Sequence, residues 1–172
     1  MNIMDFLCDV GVAAHQTEAG QAYARSHGVK SAANLAITTD ELAGLVADYL
    51  RPRVLGKTVI DVGGGTGLLA LHLAPMVRSM FVVEANPTWA LAHLELFHAA
   101  KPANLTFCWG AAREMVGQIK SDVAIVATHS DVAGMTALAS QFAPVCIDIF
   151  GELVDGNPGA FDEWARNARR NA

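Results

Sequence analysis

The sequence predicts an α/β fold, an open parallel sheet of about five strands with helices on both of its faces. Short apolar runs of the length of buried strands alternate along the chain with longer segments whose apolar residues recur at helical spacing. A glycine-rich loop joins the first of these runs to a helical segment. With 172 residues, 52% of them apolar, the chain is long enough to bury one sizeable core. We therefore expect residues 1–172 to form a single domain.

The segment before the first strand, residues 1–53, is predicted to form a helical N-terminal extension. Near its end, Thr38 and Glu41 have the spacing of a capping box, in which two side chains reciprocally cap a helix start. Pro52 is predicted to end that helix. An apolar stripe at helical spacing lies between them: Leu42, Leu45, Val46, Tyr49 and Leu50. The pattern therefore places a helix directly before the first strand.

The chain is organised around a glycine-rich loop at residues 63–67, between the first strand and a helix. A β-branched run at residues 58–60 leads into Asp61, and the letters that follow are V-G-G-G-T-G-L-L-A. Glycine permits a positive φ and lets the backbone come close to a ligand. A dinucleotide-binding fingerprint counted from Gly63 would need glycine where Leu68 stands. The loop therefore predicts a small-molecule cradle rather than a dinucleotide site.

A second apolar run, residues 80–83, reads as a short buried strand that ends in an acidic residue. That residue, Glu84, stands 21 residues after Gly63, close to the spacing between a glycine loop and a ribose-binding acid. A carboxylate at this point can accept hydrogen bonds from both ribose hydroxyls. Asn86 and Pro87 follow as the expected cap and first residue of the next helix. These features predict a nucleoside site beside the glycine loop.

The D-x-G-x-G-x-G letters that begin at Asp61, taken with the acid at Glu84, resemble the class I S-adenosylmethionine (SAM) dependent methyltransferases. The resemblance covers roughly residues 54–150 and implies a Rossmann-like sheet with strand order 3-2-1-4-5 and right-handed crossovers. It implies that the loop wraps the methionine part of SAM and that Asp61 reaches the SAM amino group through water. It also implies that Glu84 binds the ribose hydroxyls. The implied cofactor is therefore SAM.

One position departs from the resembled family. After the third strand, predicted at residues 104–109, the family commonly has an acidic residue that binds the adenine amino group, but this chain has Ala111. Backbone groups of Ala111 and Ala112, with apolar or aromatic packing, then remain to hold adenine. The residues that the resemblance implies for SAM contact are Asp61, Gly63, Gly64, Gly65, Thr66, Gly67, Glu84, Ala85, Asn86, Ala111, Ala112 and Thr128.

The candidate catalytic residues are His129 and Asp131, which follow a fourth strand predicted at residues 122–128. The resemblance places the transferred methyl group next to this position. The D/N-P-P-Y/F letters of the amino-methylating nucleic-acid enzymes are absent here. A histidine with a pKa of about 6.5 can take a proton from a hydroxyl or thiol, and an aspartate can orient it. The alternative is that Ser130 or Asp131 only caps the next helix.

A fifth strand, predicted at residues 145–150, is followed by a turn and a helix within residues 151–172. The resembled family adds an antiparallel hairpin after this strand, and these residues leave no room for it. The fifth strand is then an open edge that needs a cover. Either the C-terminal helix or a second copy of the chain can supply the cover, so a homodimer is one predicted arrangement.

The net charge and the cysteines of the chain limit which cellular compartment and which partners are expected. The net charge of −5 disfavours a nucleic-acid partner and favours a small molecule or a protein as methyl acceptor. The three cysteines are far apart and form no C-x-x-C pair, so neither a disulfide framework nor a metal site is predicted. We find no signal peptide and no apolar run long enough to span a membrane, so a cytoplasmic protein without membrane contact is expected.

These observations favour one function and leave two alternatives open. The first hypothesis is a SAM-dependent methyltransferase acting on a small-molecule or protein acceptor, a reaction that needs no metal and rests on positioning the reactants. The second is a non-catalytic SAM-binding accessory or scaffold protein, which the missing hairpin and Ala111 motivate. The third is a nicotinamide-dependent oxidoreductase, against which the alternate spacing of the glycines argues.

Overall fold

The computed structural model of the chain describes residues 40–100, 102–127 and 132–149. The predictions for residues 1–39 and 150–172, and for Thr128, His129 and Asp131, lie outside this part. The described elements are α1 (Asp40–Val54), β1 (Thr58–Val62), α2 (Leu68–Leu73) with a 3-10 turn (Ala74–Met76), β2 (Ser79–Glu84), α3 (Pro87–Ala100), β3 (Leu105–Trp109), α4 (Ala112–Met115), β4 (Val123–Val126), α5 (Val132–Ala139) and β5 (Val145–Asp148). None of these helices has both the length and the apolar character needed to cross a membrane.

Some elements differ from the prediction in their bounds. Helix α1 continues to Val54, with Pro52 inside its last turn, so the prediction that Pro52 ends the helix is wrong. Proline there removes one backbone hydrogen bond near a helix end that frays in any case. Strands β4 and β5 are shorter than predicted because only residues 123–126 pair with β1 and only residues 145–148 pair with β4.

The five strands form one parallel sheet in the order β3-β2-β1-β4-β5, which confirms the predicted order. In register, Asp61 pairs with Val82 of β2 and Ile125 of β4, and Glu84 pairs with Trp109 of β3. The chain moves outward from β1 to β3 and then returns to β4 on the other side of β1. Such a reversal opens a crevice at the carboxyl ends of the strands, where ligands bind in open α/β sheets. We call this the carboxyl edge.

Helices cover both faces of the sheet, as predicted. On the first face, alternate strand residues such as Val59, Val82 and Ile125 pack against α1, α2 and Phe97 of α3. The opposite alternation packs against α4 and α5 on the second face, through Ile60, Val62, Val83, Ala124 and Val126. Each buried aliphatic side chain of this kind contributes about 1.5–3 kcal/mol to folding. The two clusters form the core on either side of the sheet.

At the opposite end of the strands, which we call the amino edge, polar side chains bind one another. The Arg78 guanidinium donates to the hydroxyl of Thr58 (2.9 Å) and pairs with the Asp122 carboxylate (3.1 Å). The same carboxylate accepts the N–H of Thr58 (2.8 Å). The Asn104 side chain donates to two carbonyls at the end of the α2 segment, at 2.8 and 2.9 Å. These bonds join the starts of β1, β2 and β4.

Candidate functional site

The loop between β1 and α2, residues 63–67, reverses the chain through left-handed glycines. Gly63, Gly65 and Gly67 have φ of 77°, 57° and 75°, a region that residues with side chains rarely adopt. The N–H of Gly63 donates to the carbonyl of Val83 in β2 (2.8 Å), which ties the loop to the neighbouring strand. The alternate glycines of the sequence therefore correspond to alternate left-handed backbone positions.

Glycine is also required in this loop because its neighbours leave no room for a side chain. A Cβ atom on Gly64 would lie 2.6 Å from Cγ1 of Val82, and one on Gly67 would lie 1.7 Å from Nδ1 of His93. A Cβ atom on Gly65, by contrast, would meet nothing within 4 Å. The loop thus lies flat on β2 and α3 and leaves open space beside Gly65.

The carboxylate of Glu84, the last residue of β2, is held by two backbone donors. Its Oε2 accepts the N–H of Gly65 (2.8 Å), and its Oε1 accepts the N–H of Asn86 (2.6 Å). The side chain is almost fully buried. A carboxylate has about four acceptor positions, so each oxygen keeps capacity for a further donor. Glu84 therefore fixes the glycine loop to the end of β2 and can still accept hydrogen bonds from a ligand.

Asp61 lies inside β1 directly below the loop, and its carboxyl group is buried. The residue is 1% exposed, and its Oδ1 atom is buried without a hydrogen-bond partner. Burial, with a smaller contribution from the negative charge of Glu84, raises the pKa of Asp61 to about 7. A buried acceptor of this kind costs free energy unless a donor or a positive charge is supplied. Asp61 thus favours a ligand that carries a positively charged donor.

A buried histidine, which is not among the predicted site residues, supports the loop. His93 of α3 is fully buried, and its ring stacks on Phe107 of β3 with the centroids 4.2 Å apart. Neither ring nitrogen has a hydrogen-bond partner. Burial lowers the pKa of His93 to about 4, although the nearby backbone of Thr66 opposes this shift. The helical spacing from Ala90 to Phe97 was the one available signal that position 93 faces the core.

The structure brings most of the predicted site residues together at the carboxyl edge. Ala111 and Ala112 follow β3, and the preceding N–H, from Gly110, donates to the main-chain carbonyl of Glu84 (3.0 Å). Ala111 precedes α4 without capping it through a side chain. The other predicted residues at this edge lie on β1, in the loop, or directly after β2: Asp61, Gly63, Gly64, Gly65, Thr66, Gly67, Glu84, Ala85 and Asn86.

The chemistry available at this edge is that of two buried carboxyl groups beside an open, glycine-lined turn. Within residues 40–100, 102–127 and 132–149, no cluster of three His, Cys, Asp or Glu side chains is arranged to hold a metal ion. Asp61 can meet a cationic group and Glu84 can accept from hydroxyls. The arrangement is therefore suited to a small ligand that carries both.

Comparisons with known proteins find likeness in structure rather than in sequence. No protein-family model matches the chain, and no curated protein matches it. The chain is similar to precorrin-6y C5,15-methyltransferase from Geobacter metallireducens, with a TM-score of 0.54 and 14% identity over 62% of this chain and 59% of that one. It is similar to the M. jannaschii tRNA m1G37 methyltransferase, with a TM-score of 0.53 and 15% identity over 63% of this chain and 36% of that one.

A third similar structure is M. jannaschii TYW2 in complex with AdoMet, with a TM-score of 0.51 and 18% identity over 58% of this chain and 48% of that one. The chain therefore spans between 36% and 59% of the length of these three proteins. At such low identities, the likeness establishes a shared fold.

Proposed function

We propose that this chain, which has the fold of the class I SAM-dependent methyltransferases, transfers a methyl group from SAM to a small-molecule or protein acceptor. The observation that carries the proposal is the placement of Glu84. Its carboxylate is held by the N–H groups of Gly65 and Asn86 at the carboxyl edge of the sheet, beside a loop of left-handed glycines. Methyltransferase neighbours of known structure support the same reading.

The residues present fit SAM, an amino acid joined through a cationic sulfonium to adenosine. The unpartnered Oδ1 of Asp61 offers an acceptor to the ammonium group of the ligand. Glu84 retains acceptor capacity for the ribose hydroxyls. The open space beside Gly65 leaves room for the chain that connects these two groups. The two acidic residues also complement the positive charge of the sulfonium.

Bound SAM would supply an activated methyl group, and the chain's own residues would bind and orient it. Holding two reactants in line accounts for a large part of such a rate enhancement. Asp61, the glycine loop and Glu84 would fix the donor from one side. His129 would take a proton from the acceptor and Asp131 would orient His129, which remains the proposal made from the sequence.

The class of acceptor is part of the proposal. A net charge of −5 favours a small molecule or a protein over the polyanionic backbone of a nucleic acid. One similar structure is a tRNA methyltransferase, so tRNA is the competing acceptor to include in any assay. The proposal also includes SAM as the cofactor, a cytoplasmic location and a homodimer.

Calorimetric titration with S-adenosylhomocysteine, the demethylated product, tests the proposal directly. We expect the parent protein to bind it and Gly65→Ala to weaken binding at least about tenfold, or roughly 1.4 kcal/mol, because the methyl group enters the space of the ligand. Gly56→Ala is the matched control. Gly56 has a similar left-handed φ of 68° and also no neighbour within 4 Å, but it lies outside the site. It should lose stability without losing affinity.

Two outcomes would change the conclusion. If the parent protein does not bind S-adenosylhomocysteine, SAM as the ligand is contradicted. Glu84→Gln would then show no binding either. Binding without methyl transfer to metabolite pools, cell protein or tRNA would favour the non-catalytic SAM-binding protein instead. If transfer occurs, His129→Ala should lower kcat while leaving the affinity for S-adenosylhomocysteine unchanged.

A further inference from the structure

A large aromatic side chain lies exposed beside the candidate site and has no role in the function proposed above. Trp109, the last residue of β3, is 64% exposed. The only other described tryptophan, Trp89, is 9% exposed. Indole rings contribute strongly to folding when they are buried, so a ring left largely in water is available for contact with a ligand.

The backbone places this ring next to Glu84. Trp109 and Glu84 are register partners on adjacent parallel strands, so their side chains leave the sheet on the same face. The N–H of Gly110 donates to the carbonyl of Glu84 (3.0 Å), which fixes the end of β3 against the end of β2. The indole and the backbone-held carboxylate therefore share one end and one face of the sheet.

We propose that Trp109 stacks on the purine base of the nucleoside ligand, an inference that rests on the proposed function. Glu84 accepts hydrogen bonds from the sugar hydroxyls. On the β1 side of Glu84, Asp61 and the glycine loop bind the amino-acid part of the ligand. The base then extends toward the remaining neighbour of β2. That neighbour is β3, about 4.8 Å away, and its last side chain on this face is Trp109.

The turn that follows β3 explains why stacking is needed there. Ala111 and Ala112 carry no side-chain hydrogen-bonding groups for the base. Met115 fills the space on the inner side of Gly110, where a Cβ atom would lie 2.9 Å from its Cε. In the described residues of this turn, the polar side chains of Arg113 and Glu114 are exposed. The indole face is thus the main recognition surface that the strand end offers to a base.

A cycle of two ligands and two variants tests the stacking role by binding rather than by activity. The ligands are S-adenosylhomocysteine and S-ribosylhomocysteine, which keeps the sugar and the amino acid but lacks the base. Trp109→Ala should weaken the first about tenfold to a hundredfold, as expected for one lost base–aromatic stack. Trp109→Phe, which keeps an aromatic face, should stay within about threefold of the parent protein.

Affinity for S-ribosylhomocysteine should be the same in the parent protein and in Trp109→Ala. Leu94→Ala, at another exposed apolar side chain, is the control and should bind both ligands like the parent. S-adenosylhomocysteine should also quench tryptophan emission in the parent but not in Trp109→Phe.

The outcomes separate this inference from the function on which it rests. Equal affinity of parent and Trp109→Ala for S-adenosylhomocysteine would overturn the stacking role and leave the proposed function standing. Equal weakening of both ligands would also overturn it, because the loss would then not involve the base. A parent protein that binds neither ligand would remove the proposed function and the inference together.

Discussion

The two ends of the sheet differ in how their polar groups are satisfied. At the amino edge, Arg78, Thr58 and Asp122 bond to one another while remaining partly exposed to water. At the carboxyl edge, an oxygen of Asp61 and both ring nitrogens of His93 are buried without partners. Most buried polar groups in folded proteins have a hydrogen-bond partner, so these exceptions beside the glycine loop are informative.

The difference concerns the free-energy cost of buried polar groups. Each buried polar group without a partner costs about 1–3 kcal/mol, and Arg78, Thr58 and Asp122 avoid this cost by bonding to one another. The carboxyl edge accepts it at the same place where left-handed glycines concentrate. Departures from local rules of stability are expected where a ligand completes the missing interactions. Substitutions that change one group at a time test this contrast.

The largest effect is expected from Asp61→Asn. Between about pH 4 and pH 7, folded Asp61 keeps a proton that the unfolded chain has lost, because its folded pKa is about 7. The parent protein therefore loses stability as pH rises through this range, by roughly 4 kcal/mol in total. Asp61→Asn cannot titrate and should lack this loss. Urea unfolding of both proteins at pH 4 and pH 8 measures the difference.

At pH 8, Asp61→Asn should therefore be more stable than the parent protein and should bind S-adenosylhomocysteine more weakly. Both proteins retain His93, whose opposite pH dependence cancels in the comparison. An identical change of stability with pH in parent and variant would show that Asp61 carries no such cost. The carboxyl edge would then resemble the amino edge.

The next largest effect is expected from Gly67→Ala. The new Cβ atom would overlap the ring of His93, and the left-handed φ of 75° would be strained. Overpacking of about 1–3 kcal/mol and a left-handed backbone cost of about 1–2 kcal/mol together suggest a loss of about 3 kcal/mol. Gly117→Ala, with φ of 82° and no neighbour within 4 Å, should show only the backbone cost. Equal losses of unfolding free energy in the two variants, measured by chemical denaturation, would show that the His93 side chain moves aside at little cost.

The smallest effect is expected at the amino edge, from Arg78→Ala. The Arg78–Asp122 pair is exposed, with side-chain exposures of 65% and 50%, and exposed ion pairs contribute at most about 1 kcal/mol. The loss of stability should be below this value and smaller still at high salt. Affinity for S-adenosylhomocysteine should not change. A large loss of affinity would mean that the amino edge helps to position the site.

Local patterns were sufficient for much of the fold and for part of the site. The positions of the glycine loop and Glu84 follow from residues close together in the chain, whereas the resemblance to a known family implied the strand order, which the structure confirms. Burial could not be read in the same way. His93 is buried because Phe107 and Gly67 meet it from other elements, and the ends of β4 depend on how far it pairs with β1. Both depend on residues distant in sequence.

The packing of His93 against Gly67 means that the conformation of the glycine motif depends on residues outside the motif. The imidazole comes from α3, and the ring on which it stacks comes from β3. A fragment that ended after β2 would contain every residue of the motif. It would lack the His93 ring, which packs beside the last glycine of the motif, and the Phe107 ring on which His93 stacks. The conformation of the cradle thus depends on contacts with later parts of the chain. Transplanting the motif into another scaffold would require this aromatic platform as well.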